Sequence, residues 1–312
     1  MEIYYSPESQ FFKNAVFATV GFFDGVHVGH RFLISELIRE AKARNLKSVV
    51  FTFAEHPRKT LHSEFQPQLI TTLDEKLIQL ADTGIDACVV LNFSEEMSKL
   101  SAYEFLKNLL YEQYHVRALL VGHDHRFGHN RAEGFPEYQN YGTEMGMEVI
   151  QASRFSTEDF SHISSSEIRH ALEAGNIKKA NDLLSYPYSI SGQVIDGFKV
   201  GRKIGFPTAN IKCENEEKLI PGIGVYAVEI IHKNLIYKGM MNIGQRPTLE
   251  NGNKISLEVN IFDFDKDIYN ETIKIIFVEK IRDEIKFNNI DELIEQLKSD
   301  KSRVLANFQN RK

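Results

Sequence analysis

The chain has 312 residues, 42% of them hydrophobic and 26% charged, with a formal net charge of -6, a balance that excludes a disordered chain and does not call for nucleic acid as a partner. No run of about 18 apolar residues occurs and Met1 to Lys13 lacks an apolar leader core, so a membrane-spanning or secreted protein is not expected. The length exceeds what one hydrophobic core usually organises, which predicts two domains.

In the N-terminal half, β-rich apolar runs at Val16 to Val20, Ser48 to Phe53, Ala87 to Asn92, Ala118 to Val121 and Glu148 to Gln151 alternate with amphipathic or capped stretches. This alternation predicts a parallel sheet flanked by helices. The first helix, Phe32 to Arg44, places Ile34, Leu37, Ile38 and Ala41 on one face. Capping boxes at Thr72-Leu-Asp-Glu75, Ser101-Ala-Tyr-Glu104 and Ser164-Ser-Ser-Glu167 mark three helix starts, and Gly84 and Gly175 fall where helices should end. After a helix over Ile177 to Leu184, Ser185-Tyr-Pro-Tyr188 breaks the pattern, which places the domain seam between 184 and 185. Beyond it come short β-like runs at Ser189 to Ile195, Val225 to Ile231, Leu235 to Met241, Ser256 to Ile261 and Thr272 to Val278, then an amphipathic helix from Ile290 to Asn307. An antiparallel barrel over 185–312 with a C-terminal helix fits this order. The two cysteines, Cys88 and Cys213, match neither metal nor redox spacing, in keeping with a reducing cytosol.

Gly21-Phe-Phe-Asp-Gly-Val-His-Val-Gly-His30 joins the first strand to the first helix. Its glycines allow a tight turn and His30 arrives at a helix N-terminus, an end that binds anions. His27 and His30, with Gly29 between them, can donate hydrogen bonds to nucleotide phosphates. Zinc ligation and simple structural packing are the competing uses, but a catalytic zinc helix prefers an i, i+4 pair with a carboxylate and no third ligand is evident. In the second half, Gly197, Gly201 and Gly205 recur every fourth residue before Phe206-Pro-Thr-Ala-Asn210. Without a Lys-Ser/Thr pair this is not a Walker loop, and a bent hairpin explains the glycines alone. The Thr208 hydroxyl and Asn210 carbonyl are hard oxygen ligands suited to Mg²⁺.

These segments carry a resemblance. The first, with its HxGH core, resembles the nucleotidyltransferase superfamily and, over G-x-F-D-G-V-H-x-G-H, the FMN adenylyltransferase module of the bacterial bifunctional riboflavin kinase/FAD synthetases. Gly122-His-Asp-His-Arg-Phe-Gly128, with Arg131 and Gly134 after it, and Ile163-Ser-Ser-Ser-Glu-Ile-Arg169 resemble further motifs of that module. Ser166 stands where the family usually has Thr, and His125 replaces an aromatic residue in its D-F-x-F-G segment. Gly201-Arg-Lys-Ile-Gly-Phe-Pro-Thr-Ala-Asn210 resembles the riboflavin kinase signature. Matches continue through Gly222-Ile-Gly-Val-Tyr226, Met241-Asn-Ile-Gly-Gln-Arg-Pro-Thr248, Leu257-Glu-Val259 and Ile281-Arg-Asp-Glu-Ile-Lys-Phe287.

The resemblance implies a Rossmann-like nucleotidyltransferase domain over 1–184 that adenylylates FMN to FAD, and a riboflavin kinase-like barrel over 185–312 that phosphorylates riboflavin to FMN, both with ATP and Mg²⁺. It assigns ATP binding in the first domain to Gly21, Phe23, Asp24, His27, Gly29, His30, Ser165, Ser166 and Arg169, and FMN binding to Asp124, Phe127 and Gly128. In the barrel it assigns ATP to Gly197, Gly201, Arg202, Gly205, Pro207, Thr208 and Asn210, with Thr208 and Asn210 on the metal. Flavin falls to Arg246, Arg282, Glu284 and Phe287, with Arg282 on a mobile loop, and catalysis to Glu258 in the barrel and to His27 and His30 in the first domain. A plain strand position also explains Glu258. A chain with one active half, or a flavin-sensing regulator, is the alternative; a regulator would usually carry a DNA-binding module, and no helix-turn-helix with a basic face is visible.

Overall fold

The computed structural model describes residues 1–6, 12–57, 59, 64, 68–123, 126–129, 132–155, 163–197, 200–247 and 253–309, without the side chains of 200, 203, 246, 247, 253 and 254. The chain divides into two compact units, Met1–Ser165 and Ser166–Lys312.

The first unit is built on strands β1 (Glu2–Tyr5), β2 (Val16–Val20), β3 (Lys47–Phe53), β4 (Ala87–Leu91), β5 (Val116–Val121) and β6 (Glu148–Gln151), in the spatial order β1-β4-β3-β2-β5-β6. Every pair is parallel. Because successive side chains alternate faces, Val16, Ala18 and Val20 enter one core while Phe17 enters the other, and both faces of the sheet are covered.

Helix α1 (Val28–Ala43) supplies Ile34, Leu37 and Ala41 to one of these cores. It starts four residues before the amphipathic pattern at Phe32, because its first turn is spent on the histidine segment. Helix α2 (Leu73–Ala81) begins at the Thr72 capping box and α3 (Glu95–Lys99) at a Ser94 cap. The Ser101 box starts α4 (Ala102–Glu104), which widens into π-helical turns over Phe105–Gln113, closed by the Tyr114 amide on the Leu109 carbonyl at 3.1 Å. Helix α5 (Phe135–Met145) leads to β6 and ends on Gly146 at φ 74°.

The second unit opens with α6 (Ser165–Glu173, its first residue still in the first unit) and α7 (Ile177–Leu184), separated by Gly175 at φ +74°. The barrel consists of β7 (Ser189–Ile195), β8 (Ala209–Cys213), β9 (Gly224–His232), β10 (Leu235–Pro247), β11 (Asn253–Ile261) and β12 (Thr272–Arg282), with the short α8 (Val200–Lys203) between β7 and β8. It closes in the order β10-β11-β8-β7-β12-β9, all antiparallel, which removes every exposed edge. Helix α9 (Ile290–Gln309) packs Val304 and Phe308 on Val225, Ala227 and Met240.

The α/β-plus-barrel architecture matches the expectation, and β1 and β8 are additions to it. β1 lies at the sheet edge with mostly exposed side chains, so no hydrophobic pattern marks it. β8 is short and half-buried and coincides with the segment read as a ligand motif.

Candidate active sites

The first site lies beyond the C-terminal end of β2, where open parallel sheets receive ligands. His27 is the N-cap of α1, and its Nδ1 accepts the His30 backbone N–H at 3.3 Å. An accepting Nδ1 places the neutral ring's proton on Nε2, so His27 offers a donor. The two imidazoles stack with centroids 3.6 Å apart and planes 16° from parallel, and Phe23 meets His30 edge-on at 5.1 Å. His30 is held well below the ordinary imidazole range, first by burial and to a lesser degree by the neighbouring His27 and Lys76. Its Nδ1 is buried without a hydrogen-bond partner among the described residues. A polar atom left so at a helix start calls for a ligand to satisfy it.

The turn before the histidines is strained: Phe23 and Val26 have φ of 54° and 38°, and Gly25 has 80°. Such conformations persist only where surrounding contacts impose them. Asp24 supplies those contacts. Its buried carboxylate accepts the Ile70 amide at 3.1 Å and the Thr71 amide and hydroxyl at 3.0 and 3.2 Å, while the Gly25 amide donates to Thr71 Oγ1 at 3.0 Å. Asp24 thus anchors the turn to the 70–71 segment. Ser165, the last residue of the first unit, donates its hydroxyl to the Asp24 carbonyl at 3.0 Å. Gly21 and Gly29 leave room for the rings of Phe23 and His27, since an added Cβ would lie 2.9 and 3.3 Å from them. Ser166 and Arg169 follow on α6 in the second unit.

Of the residues assigned to FMN in this domain, Asp124 lies outside the described residues, as do the departing His125 and Arg131. Phe127 is buried, stacked on Phe105 at 5.5 Å and edge-on to Tyr138 at 5.0 Å, and its amide donates to the Tyr138 hydroxyl at 2.8 Å. Its ring is therefore a core element that fixes the loop. Gly128, at φ +80°, lies against α4, where a Cβ would come 2.7 Å from the Ala102 amide. The same loop contributes His123 and Arg126 to a cavity of about 330 Å³, shared with Gly134, Phe135 and Gln151.

The second site lies on the barrel wall beside α9. Glu258 on β11 is the register partner of Asn210 on β8. Directly opposed residues of antiparallel strands project to the same face, so a carboxylate and an amide oxygen stand side by side there. A cavity of about 280 Å³ joins Glu258 to Thr208, Gly201, Arg282, Glu284 and Phe287. Side chains that are far apart in sequence thus meet around one space. Gly197 and Gly201 are close approaches, not hinges: a Cβ on the first would collide with the Asn210 amide, and on the second with the Phe206 carbonyl. Gly205 takes φ +80° in open space, where its backbone alone requires glycine. Arg202 lines a smaller neighbouring cavity of about 80 Å³ with Pro207 and Thr208.

Arg282 closes β12, and its guanidinium forks onto the buried Asp300 of α9 at 2.8 to 3.1 Å. Asp300 also accepts Gln296 Nε2 at 2.9 Å, and the Arg282 guanidinium sits 6.0 Å from the Phe287 ring. Asp300 lines this cavity without having been singled out from sequence, and Asn242 lines it from within the Met241 to Thr248 segment, where no role was given to it. Arg246 is on β10, opposite Lys254, its side chain outside the described residues.

A histidine turn at a helix start above a parallel sheet and a carboxylate on a barrel wall give a chain of two compact units, each with its own candidate site. The family model described as FAD synthetase matches residues 9–167, and that described as riboflavin kinase matches residues 184–308. The bifunctional riboflavin kinase/FMN adenylyltransferase of Escherichia coli K12 is 39% identical over 285 residues, covering 90% of this chain and 89% of that one. Its Bacillus subtilis counterpart is 37% identical over 301 residues, covering 93% and 92%. A Streptococcus pneumoniae crystal structure described as a macrolide-efflux protein aligns with a TM-score of 0.86 at 31% identity, over 97% of this chain and 98% of that one. Among the described residues no helix is long and apolar enough to cross a membrane. The chain belongs to the bifunctional riboflavin kinase/FMN adenylyltransferase family.

Proposed function

We propose that the chain makes FAD from riboflavin in two ATP-dependent steps, the barrel forming FMN and the histidine site joining it to AMP. Family membership carries the pair of activities. The roles of individual residues rest on the geometry. In the barrel the riboflavin 5′-hydroxyl is a neutral, poor nucleophile, and Glu258 accepts its proton as the γ-phosphate transfers and ADP leaves. The register of Glu258 beside Asn210 is the observation that carries this assignment.

At the histidine site the nucleophile is the FMN phosphate, already an anion at neutral pH. Its attack on the α-phosphate expels pyrophosphate and needs charge neutralisation and in-line placement rather than a base. The Nε2–H of His27 and the ring of His30, whose Nδ1 has no partner among the described residues, serve the phosphates at the α1 N-terminus. Thr208 and Asn210 offer hard oxygen atoms beside the Glu258 carboxylate, a donor set that fits Mg²⁺. Bound there with ATP, the ion neutralises phosphate charge. This reading places the protein in the cytosol with small-molecule substrates and gives nucleic acid no part.

Incubating the purified chain with riboflavin, ATP and Mg²⁺ and separating the flavins tests the whole proposal. FMN should appear first and FAD after it, with ADP and pyrophosphate released in turn. Riboflavin left unchanged would overturn it.

A further inference from the structure

Helix α2 carries a buried lysine, Lys76, outside the residues assigned to either reaction. Lys76 is 2% exposed, and its Nζ donates to the Phe22 carbonyl at 3.2 Å and the Phe53 carbonyl at 2.9 Å. The ammonium also sits 4.2 Å from the centre of the Phe22 ring. Phe53 ends β3, and Phe22 follows β2 inside the turn that delivers the histidines. The two strands are parallel neighbours, so one cation bridges the C-terminal edge of the sheet where ligands enter.

Burying an ammonium is costly, and no carboxylate forms an ion pair with it among the described residues. Asp24, a carboxylate whose charge acts on it, has oxygens on the Ile70 and Thr71 donors. A hydrophobic side chain of the same length would fill the space without this cost. A charge kept at such a place, one residue from the strained Phe23, has a use in the site.

We propose that Lys76 is a positioning residue for adenylyl transfer: it fixes the histidine turn through the Phe22 and Phe53 carbonyls and places a positive charge behind the histidine pair. Two observations agree with it. The charge of Lys76 is one of the influences holding His30 low, which keeps that ring neutral. Thr52 Oγ1 donates to the same Phe22 carbonyl at 3.0 Å, so this oxygen is a shared anchor of the turn.

The inference rests on adenylyl transfer occurring at the histidine turn, and it can be tested separately from that reading. Burial pushes Lys76 down to about 8, against the opposing charges of Asp24 and Cys88. The Cys88 thiol is itself pushed up to about 12 by burial, and burial holds His30 well below the ordinary imidazole range. Of Lys76, Cys88 and His30, the lysine is the one that loses its charge near pH 8.

The experiment measures kcat/KM for FAD formation from FMN over that interval in the full chain and in K76M, K76R and H30A, with riboflavin kinase activity followed in each preparation as a check on folding. The parent should fall off above pH about 8. K76M should be reduced on the order of tenfold to a hundredfold at pH 7 and flat above it, mostly in kcat. K76R should restore activity and stay flat to higher pH. The kinase rate should be unchanged throughout. FAD formation at the parent rate in K76M, or a lower rate that keeps the same alkaline fall, would overturn the role of Lys76. Undiminished FAD formation in H30A would instead overturn the assignment of the histidine turn itself.

Discussion

Glu258 and Asn210 face each other across β11 and β8, so the proposed base and a proposed metal ligand share one face of the barrel wall. Because a neutral hydroxyl reacts there and a charged phosphate reacts at the histidine turn, one substitution should separate the two chemistries. Glu258→Gln keeps the shape but removes the proton acceptor. FMN formation from riboflavin should fall by about two to four orders of magnitude. Supplied with FMN, the same preparation should make FAD at the parent rate. A kinase unaffected by the change means that Glu258 is only a strand residue.

The oxygen ligands beside it predict a different kinetic signature. Thr208→Ala and Asn210→Ala should each raise the KM for Mg²⁺-ATP in the kinase reaction about tenfold or more, and added Mg²⁺ should recover part of the loss. Gly197→Ala should imitate Asn210→Ala, since the new methyl group would displace that amide. Titrating Mg²⁺ at fixed ATP in the three variants checks this. Three parent-like curves would remove both residues from the metal site.

At the other site, His30→Ala removes the ring whose Nδ1 has no partner within the described residues. Loss of one preorganised donor to developing phosphoryl charge costs about 3 kcal/mol, roughly a hundredfold in rate. FAD formation from FMN should drop by that factor while riboflavin is still converted to FMN. Quantifying both flavins in one reaction distinguishes this from a folding defect, which would lower both.

The parts of this fold that repeat a local pattern were legible in the sequence. Val16–Val20, Glu148–Gln151, Ser189–Ile195 and Ile177–Leu184 carry their periodicity in contiguous residues, and Thr72 and Ser101 announce their helices through short-range capping chemistry. The histidine turn was visible for the same reason, since its glycines and imidazoles are contiguous. Lys76 was not. It occupies an unremarkable place in an amphipathic helix and becomes a buried cation only when two strand ends converge on it. The Asp300 anchor of Arg282 is equally non-local, spanning β12 to α9. Arg282, expected on a mobile loop, is here the last residue of a strand with a bidentate partner.

Where the two domains can be cut is the remaining prediction. Chain patterning places the boundary at 184/185, whereas the second compact unit begins at Ser166 and includes most of α6 and all of α7. Packing of these helices on the barrel is specific. Asn181 accepts the Tyr188 amide at 2.7 Å and donates to the Phe277 carbonyl at 3.3 Å, and the Gly222 amide donates to the Leu172 carbonyl at 2.9 Å. Ile177, Leu183 and Leu184 are buried, and each contributes up to about 2 kcal/mol if fully covered. Their sum is a large share of the 5 to 15 kcal/mol, roughly, that holds a domain folded. A fragment of residues 166–312 should phosphorylate riboflavin at the rate of the full chain, because Glu258, Asn210 and Thr208 all lie within the barrel segment. A fragment of residues 185–312 contains the same site and should retain the activity when cold, but melt at least about 10 °C lower. Thermal melts paired with kinase assays on both fragments decide the matter. Equal melting temperatures would show that α6 and α7 do not stabilise the barrel, and would leave 184/185 as the boundary in stability as well as in sequence.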